Sequence, residues 1–414
     1  MADQAPIVGL DIGTSKIGVI IGEQNDQGQL NILGTGIHPS EGLRRGVVVN
    51  LDKTVNSIRA AVSDAELMAG VKVQEAVAGI AGDHIKSLNS RGVVAVADLN
   101  REISPQDIDR AIDAAKAIPM PMDRQILHIL PQEYIVDSQE GIKEPAGMCG
   151  VRLEVDAHIV TGAITSGQNI LKAAERAGVT INQLVLEPLA SNLSVLGEDE
   201  RELGVALLDI GAGTSDIAMF FEGTIRHSAV VGLGGQNVTN DIALGLRTPH
   251  DQAEQIKRQY GCAYQGLIQE EEYIEVPGIG GRPAREVFRA VLSGIIQPRM
   301  EEIFSLVHRE MKRTEYMDLM TTGLVITGGA SLLNGVPELA EEVFDMPVKI
   351  GYPTGFGGLT EPAQHPSFAT GVGLVQFILE NQECMPQTNT RQTTENTETG
   401  NLVEKVRQWF REFL

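Results

Sequence analysis

The stretch Ile7 to Glu23, IVGLDIGTSKIGVIIGE, returns in altered form at Gly204 to Gly223 as GVALLDIGAGTSDIAMFFEG. In both, an apolar run ends in Asp-Ile-Gly, passes through small and hydroxyl residues, and resumes as a second apolar run. That pattern predicts a β-hairpin with a phosphate-sized turn. Glycine lets the backbone approach a ligand with no Cβ in the way, and successive N–H groups of such a turn point into one concavity that suits an anion. Taken singly, either copy reads as well as a mere tight turn; the duplication favours a nucleotide. Two turns facing each other would clamp a polyphosphate, with Gly13, Thr14, Ser15 and Lys16 on one side and Gly211, Ala212, Gly213 and Thr214 on the other. Lys16 would bring a point charge to the phosphates. Asp11 and Asp209, at the strand ends, would hold Mg²⁺ through waters that the ion keeps.

A third glycine cluster stands at Leu324 to Leu339, LVITGGASLLNGVPEL: a buried-type strand, a Gly328-Gly329 turn followed by Ala330, and a helix expected from near Ser331. Paired glycines after a strand let a flat base or ribose lie against bare backbone, although many α/β proteins close a strand with Gly-Gly for no such purpose. In this order the three clusters resemble the two phosphate motifs and the adenosine motif of the actin/Hsp70/sugar-kinase superfamily. The resemblance implies an α/β, actin-like two-lobed ATPase fold of duplicated RNase H-like halves closing over ATP and Mg²⁺. An internal repeat is what such a duplication leaves behind. It also implies that Glu254, Lys257 and Arg258, in PHDQAEQIKRQY, join Gly328, Gly329 and Ala330 around the adenosine. On spacing alone, Glu254 and Lys257 form an ordinary surface pair worth a few tenths of a kcal/mol. Glu187, in LEPLAS, falls in the region where bacterial actins place a water-orienting carboxylate, and reads equally as a helix-start Glu before Pro188.

A net charge of −22 over 414 residues argues against binding nucleic acid through bulk electrostatics. Cys149, Cys262 and Cys384 are too widely spaced for a zinc or disulfide pattern and read as free thiols in a reducing compartment. The N-terminus has neither a basic n-region nor an apolar h-region, so secretion is not expected. No apolar segment reaches the roughly 18 to 20 residues of a membrane span.

Between the repeats, Leu30 to Ile37 continues the first hairpin and Leu51 to Ala69 has helical periodicity. From His84 a compact α+β insertion begins. It holds a hairpin-like stretch over Ile85 to Val96 broken at Asn89 to Gly92, and a helix after the cap Ser104-Pro105. The strand-like QILHILPQEYIVD and RLEVDAHIVTG follow, joined by the turn KEPAGMCG. After the second repeat come a turn and helix in GLGGQNVTNDIALGL, a helix over Pro249 to Tyr260, and a long helix over Arg285 to Lys312.

The phrases HILPQEYIVD, EPAGMCGVRLEVDAHIVTG, LEPLASNLSVL and SFATGVGLVQF, with the DIGTSK turn, resemble the FtsA family of bacterial cell-division proteins. The resemblance runs from residue 6 to about residue 380 and resumes at the C-terminus. It implies subdomain 1A at 6–83 and 163–203, insertion subdomain 1C at 84–162, 2A at 204–243 and 321–383, and 2B at 244–320. A linker at 384–400 and a membrane-targeting helix at 401–414 would follow. It further implies that subdomain 2B binds the C-terminal peptide of the tubulin-like division protein FtsZ. Arg285, Arg289, Arg299 and Arg309 would suit acidic residues there, or form only a solvated face. Self-assembly into filaments and contacts of the insertion with later division proteins are implied as well.

The C-terminus reads independently. CMPQTNTRQTTENTETG, Cys384 to Gly400, is too polar to fold and serves as a tether. In NLVEKVRQWFREFL, Asn401 and Glu404 stand in the manner of a capping box. Leu402, Val403, Val406, Trp409, Phe410, Phe413 and Leu414 fall on one helical face, opposite Lys405, Arg407, Gln408 and Arg411. Such a helix docks on protein or lies in a membrane interface. The FtsA resemblance implies the latter, at the cytoplasmic face of the inner membrane. Two functions remain in view: an ATP-binding adaptor that polymerises on the membrane and tethers FtsZ, and a small-molecule kinase or ATPase of the same superfamily. Pilus-assembly relatives are a nearer competitor to the adaptor. As an enzyme the chain is expected to be a weak ATPase at most.

Overall fold

The computed structural model describes residues 6–98, 100–269 and 271–381. Ile7–Ile12 (β1) carries six residues without a charge until Asp11, and all six are buried. It pairs antiparallel with Lys16–Gln24 (β2), which pairs in turn with Leu30–Pro39 (β3). Helix α1, Leu51–Ala69, starts where the Asn50 side chain accepts from Lys53 N and ends at Gly70 in the left-handed region. It returns the chain to Glu75–Ile80 (β4), which lies parallel to β1.

The insertion follows. Lys86–Ala95 (β5) is one unbroken strand, paired along its whole length with a later strand. The hairpin break expected at Asn89 to Gly92 is therefore corrected. Gly92 is not a turn residue; a Cβ there would stand 2.0 Å from the carbonyl oxygen of Ala111, so it lets helix α2, Pro105–Ala115, lie close on the strand. Ser104 caps α2 in a reciprocal pair with Asp107. Arg124–Val136 (β6), Gln139–Ile142 (β7) and Arg152–Ala163 (β8) complete a four-stranded sheet in the order β5-β8-β6-β7. Ile103, Ala111, Tyr134, Leu153 and Val155 form its own core. Pro131 sits in β6 beside a register shift, where a missing N–H is tolerated, and the adjacent Gln132 Nε2 donates to Ile225 O at 2.8 Å.

Helix α3 (Ile164–Ala177), strand β9 (Thr180–Leu186) and helix α4 (Glu187–Val195) finish the first half. The second half begins with Val205–Ile210 (β10), Ser215–Phe221 (β11) and Thr224–Val231 (β12). Helices α5 (Gly235–Leu246) and α6 (His250–Tyr260) follow. Tyr273–Val276 (β13) then pairs with Arg285–Phe288 (β14) ahead of α7, Arg289–Lys312. The helix expected from Arg285 thus starts four residues later, because Arg-Glu-Val-Phe alternates as a strand and Phe288 stacks on Tyr273 with ring centroids 4.4 Å apart.

Leu324–Thr327 (β15), α8 (Val336–Phe344), Val348–Ile350 (β16), Phe356–Gly358 (β17) and α9 (Ala369–Glu380) end the described chain. The helix expected near Ser331 begins at Val336 instead. Ser331 Oγ donates to Gly328 O at 2.7 Å, Asn334 O accepts from Ala263 N, and Gly335, left-handed at φ +78°, is the residue that admits the chain to the helix.

The two halves share one topology. The first sheet runs β9-β4-β1-β2-β3, extended at its edge by β17, and the second runs β16-β15-β10-β11-β12. In each, an antiparallel three-stranded meander is followed by two parallel strands. The closing helices of the two halves, α4 and α9, meet where a Cβ on Gly373 would stand 1.9 Å from Ala190 O.

Candidate functional site

The ladders fix both Asp-Ile-Gly turns in one frame. Ile12 pairs with Ile17 and Ile210 with Ser215, and four residues lie between the partners in each case. Gly13 N donates to Lys16 O and Gly211 N to Thr214 O, both at 3.0 Å. The turns are thus Gly13-Thr14-Ser15-Lys16 and Gly211-Ala212-Gly213-Thr214, and they face each other. A Cβ on Gly213 would stand 2.6 Å from Thr14 Oγ1. The carbonyls behind the second turn are taken up by helix α5, whose Gly235 N and Gln236 N donate to Gly211 O at 2.9 Å and Ala212 O at 2.8 Å.

Lys16 Nζ lies 2.6 Å from Asp11 Oδ2 and 5.1 Å from the Phe368 ring centroid, so the one cation of the turns is braced by a carboxylate and an aromatic face. Asp209 accepts from Ser191 Oγ at 3.0 Å and Thr370 Oγ1 at 3.3 Å, groups supplied by α4 and α9. Burial nevertheless pushes its carboxyl up to about 6. Directly opposite on the ladder stands Asp216, 2 % exposed, with one oxygen that has no hydrogen-bond partner among the described residues. Burial first, and Asp209 second, raise its carboxyl strongly, against a hydrogen bond from Thr214. Glu187 lies over β4, where a Cβ on Gly79 would stand 3.4 Å from its Oε1. Desolvation, then Asp11, Asp216 and Asp209, push it well above the usual carboxylate range, with Lys16 opposing.

The adenosine set is partly gathered. A Cβ on Gly328 would stand 2.3 Å from Asp209 Oδ1, so bare backbone lies against the second turn, and Ala330 N donates to Ile210 O at 3.0 Å. A Cβ on Gly235 would be 3.2 Å from Ala330 Cβ and 3.5 Å from Lys257 Nζ. Lys257 donates to Gly235 O at 3.0 Å and Thr239 Oγ1 at 2.8 Å and pairs with Glu254 at 2.7 Å. Burial depresses this ammonium while Glu254 opposes. Burial raises Glu254, but Lys257, Thr239 and Arg258 outweigh it and hold the carboxyl down at about 2. Arg258, largely exposed, reaches Glu254 at 2.8 Å. Gly329 has only Ser367 Cβ near the place of a Cβ, at 3.7 Å.

A nucleotide with Mg²⁺ fits this donor set. Two opposed turns, one ammonium, carboxylates of which one oxygen is orphaned, and open backbone at Gly329 are groups that such a ligand can use. Mg²⁺ would neutralise phosphate charge. Asp11 and Asp209, with Asp216 beside them, would hold it through its waters, since no three His, Cys, Asp or Glu among the described residues are grouped to ligate an ion directly, and Gly13 to Lys16 with Gly211 to Thr214 would hold the phosphates. Asp216, Ser191 and Thr370 did not emerge from the sequence. Asp216 follows Thr214-Ser215 inside the repeat and becomes visible only once the ladder sets it opposite Asp209.

The four arginines are not brought together. Arg285 lies in β14, not on the long helix, and donates to Leu246 O at 2.9 Å. Arg289 pairs with Glu272 at 2.5 Å, and Arg299 pairs with Asp241 at 2.5 Å and with Glu302. Each step of ten residues along α7 rotates the next arginine by roughly 280°, so Arg289, Arg299 and Arg309 do not share a face. Arg299 does line a shallow depression of about 290 Å³ with Asp241, Gly294, Ile295, Pro298 and Glu302. Leu402, Val403, Val406, Trp409, Phe410, Phe413 and Leu414 lie outside the described residues, and no described helix is long and apolar enough to cross a membrane.

Residues 206–373 match the family model for cell division protein FtsA, and residues 82–161 match the SHS2 domain inserted in FtsA. The chain is 51% identical to the cell division protein FtsA of Pseudomonas aeruginosa over 376 residues, covering 91% of this chain and 90% of the relative. It is 37% identical to that of Escherichia coli K12, covering 99% and 98%. Among solved structures, the type IV pilus biogenesis complex PilM-PilN superposes with a TM-score of 0.67 at 18% identity, covering 91% of this chain and 99% of that one. MreB 5 of Spiroplasma citri bound to AMPPNP superposes with a TM-score of 0.57 at 13% identity, covering 92% and 98%. These structures carry the fold.

Proposed function

The chain belongs to the FtsA family of cell-division proteins, and from that premise we propose that it is an actin-like, ATP-binding adaptor that polymerises on the cytoplasmic face of the membrane and tethers FtsZ there. The observation that supports nucleotide binding most directly is the pair of four-residue turns of the same register set face to face, with Lys16 on one and Asp209 and Asp216 behind the other. The small subdomain, 244–320, offers the depression beside Arg299 to the C-terminal peptide of FtsZ; an acidic peptide there exchanges its carboxylate for Asp241 or Glu302. The insertion serves neighbouring subunits and later division proteins. The helix at 401–414 anchors the assembly through its apolar face, since full burial of one large apolar side chain contributes roughly 1.5 to 3 kcal/mol.

Turnover is slow in this reading. Orienting an attacking water needs a group that accepts its hydrogen bond, and Glu187, over β4 beside the aspartates, is the candidate for that role. In this reading the nucleotide sets conformation and polymer state more than it drives chemistry. Imaging of purified protein on a lipid monolayer tests the proposal. Filaments that need ATP and lipid, and that recruit FtsZ peptide, are expected; protein that stays off the lipid with its C-terminal helix intact contradicts it.

A further inference from the structure

Arg45 lies between Leu43–Arg44 and Val47–Val48, a short hairpin that joins β3 to α1. Its backbone is left-handed, φ +50°, a region that a long side chain rarely adopts and that persists only where surroundings impose it. The surroundings here are the two turns. Gly46 N, the next amide, donates to Thr14 Oγ1 at 3.1 Å and ties the hairpin to the first turn. A Cβ on Gly213 would stand 3.1 Å from Arg45 Cα, so the residue abuts the second turn where the two turns meet.

From there the side chain runs along the loop between β12 and α5. A Cβ on Gly232 would be 3.7 Å from Arg45 Cδ and 4.0 Å from its Nη1. The same position would be 3.7 Å from Asp83 Cβ, yet no ion pair forms between Arg45 and Asp83. Among the described residues nothing hydrogen-bonds to the guanidinium, and Arg45 is exposed. An unpaired cation on a constrained backbone, beside turns that suit phosphate, has the donor fork for phosphate oxygens that Lys16 lacks.

Resting on the nucleotide reading above, the geometry points to Arg45 as the residue that contacts the terminal phosphate of a bound nucleoside triphosphate and sets the preference for triphosphate over diphosphate. It bridges the halves when that phosphate is present, because its backbone belongs to the first half and its side chain lies along the second.

Calorimetric titration of the full chain with Mg-ATP and Mg-ADP, for wild type and for Arg45→Ala, Arg45→Lys and Arg45→Gly, tests this without any measurement of turnover. Arg45→Ala is expected to weaken ATP about tenfold or more while ADP changes by less than about threefold. Arg45→Lys recovers part of the loss, keeping the charge but not the fork. Arg45→Gly relieves the left-handed backbone, so its thermal midpoint should not fall, yet it should lose the preference as Arg45→Ala does. Equal losses for both nucleotides, or an ATP-to-ADP ratio unchanged in Arg45→Gly, would overturn the assignment while leaving the nucleotide site in place. A wild-type chain that binds neither nucleotide overturns the site itself, and the role of Arg45 with it.

Discussion

In the first turn the fourth residue is Lys16 and the residue opposite Asp11 is Gly18; in the second, the same places hold Thr214 and Asp216. The backbone frame is common to both, down to the 3.0 Å bond that closes each turn. The side chains have divided the work. One turn keeps a cation and has no side chain opposite its aspartate, leaving Lys16 free to reach Asp11; a Cβ on Gly18 would stand 3.3 Å from Lys16 Nζ. The other has no cation and carries two buried carboxylates facing one another. A duplicated frame thus repeats the turn and its strand-end aspartate, but the cation stands on one copy alone and the second carboxylate on the other.

The clamp is most vulnerable at the point where the turns touch. Gly213→Val places a branched side chain against Thr14, and ATP binding should be lost from measurement while circular dichroism stays that of the wild type. Retained affinity would mean that the turns do not close on the ligand. Making the first turn like the second, by Lys16→Thr, should weaken ATP about ten- to a hundredfold in direct titration, as removal of a charged phosphate contact does. A loss of less than threefold would leave Lys16 with no part in the clamp.

The carboxylate side is sharpened by pH. Asp209 has its ordinary value of 3.8 when unfolded and about 6 when folded, so between these pH values the folded state binds the extra proton. Stability contributed by this group is therefore present below pH 4 and is lost as pH rises through 6; Asp216 and Glu187 act in the same direction. Asp209→Asn should raise the unfolding free energy in the absence of nucleotide by about 1 to 3 kcal/mol at pH 7.5 and by little at pH 4. An increase of equal size at both pH values would mean that charge burial is not its source. The smallest effect is expected away from the turns. Arg258→Ala, at an exposed pair, should alter ATP affinity by no more than about threefold.

Much of this was legible in the chain. Asp-Ile-Gly between two apolar runs marks both turns because each run is a strand buried on both faces and only the short polar stretch between them can turn. The span of α1 follows from its apolar spacing, and in the structure Asn50 and Gly70 close its ends. Where the reading failed, a local signal was overruled by a distant partner. Asn89 to Gly92 has turn composition, but β8 pairs with it throughout. A helix is expected from near Ser331, yet the Ser331 hydroxyl bonds backward to Gly328. Arg285 to Phe288 could extend a helix, and Tyr273 captures it as a strand. Asp216, Ser191 and Thr370 reach the site from three elements far apart in sequence, so no spacing announces them.

Hydrogen exchange of the full chain, followed by mass spectrometry with and without Mg-ATP at saturation, tests the clamp most directly. Slower exchange is expected in both turns together, Gly13 to Lys16 and Gly211 to Thr214. Bound ATP with protection in one turn and unchanged exchange in the other would contradict it.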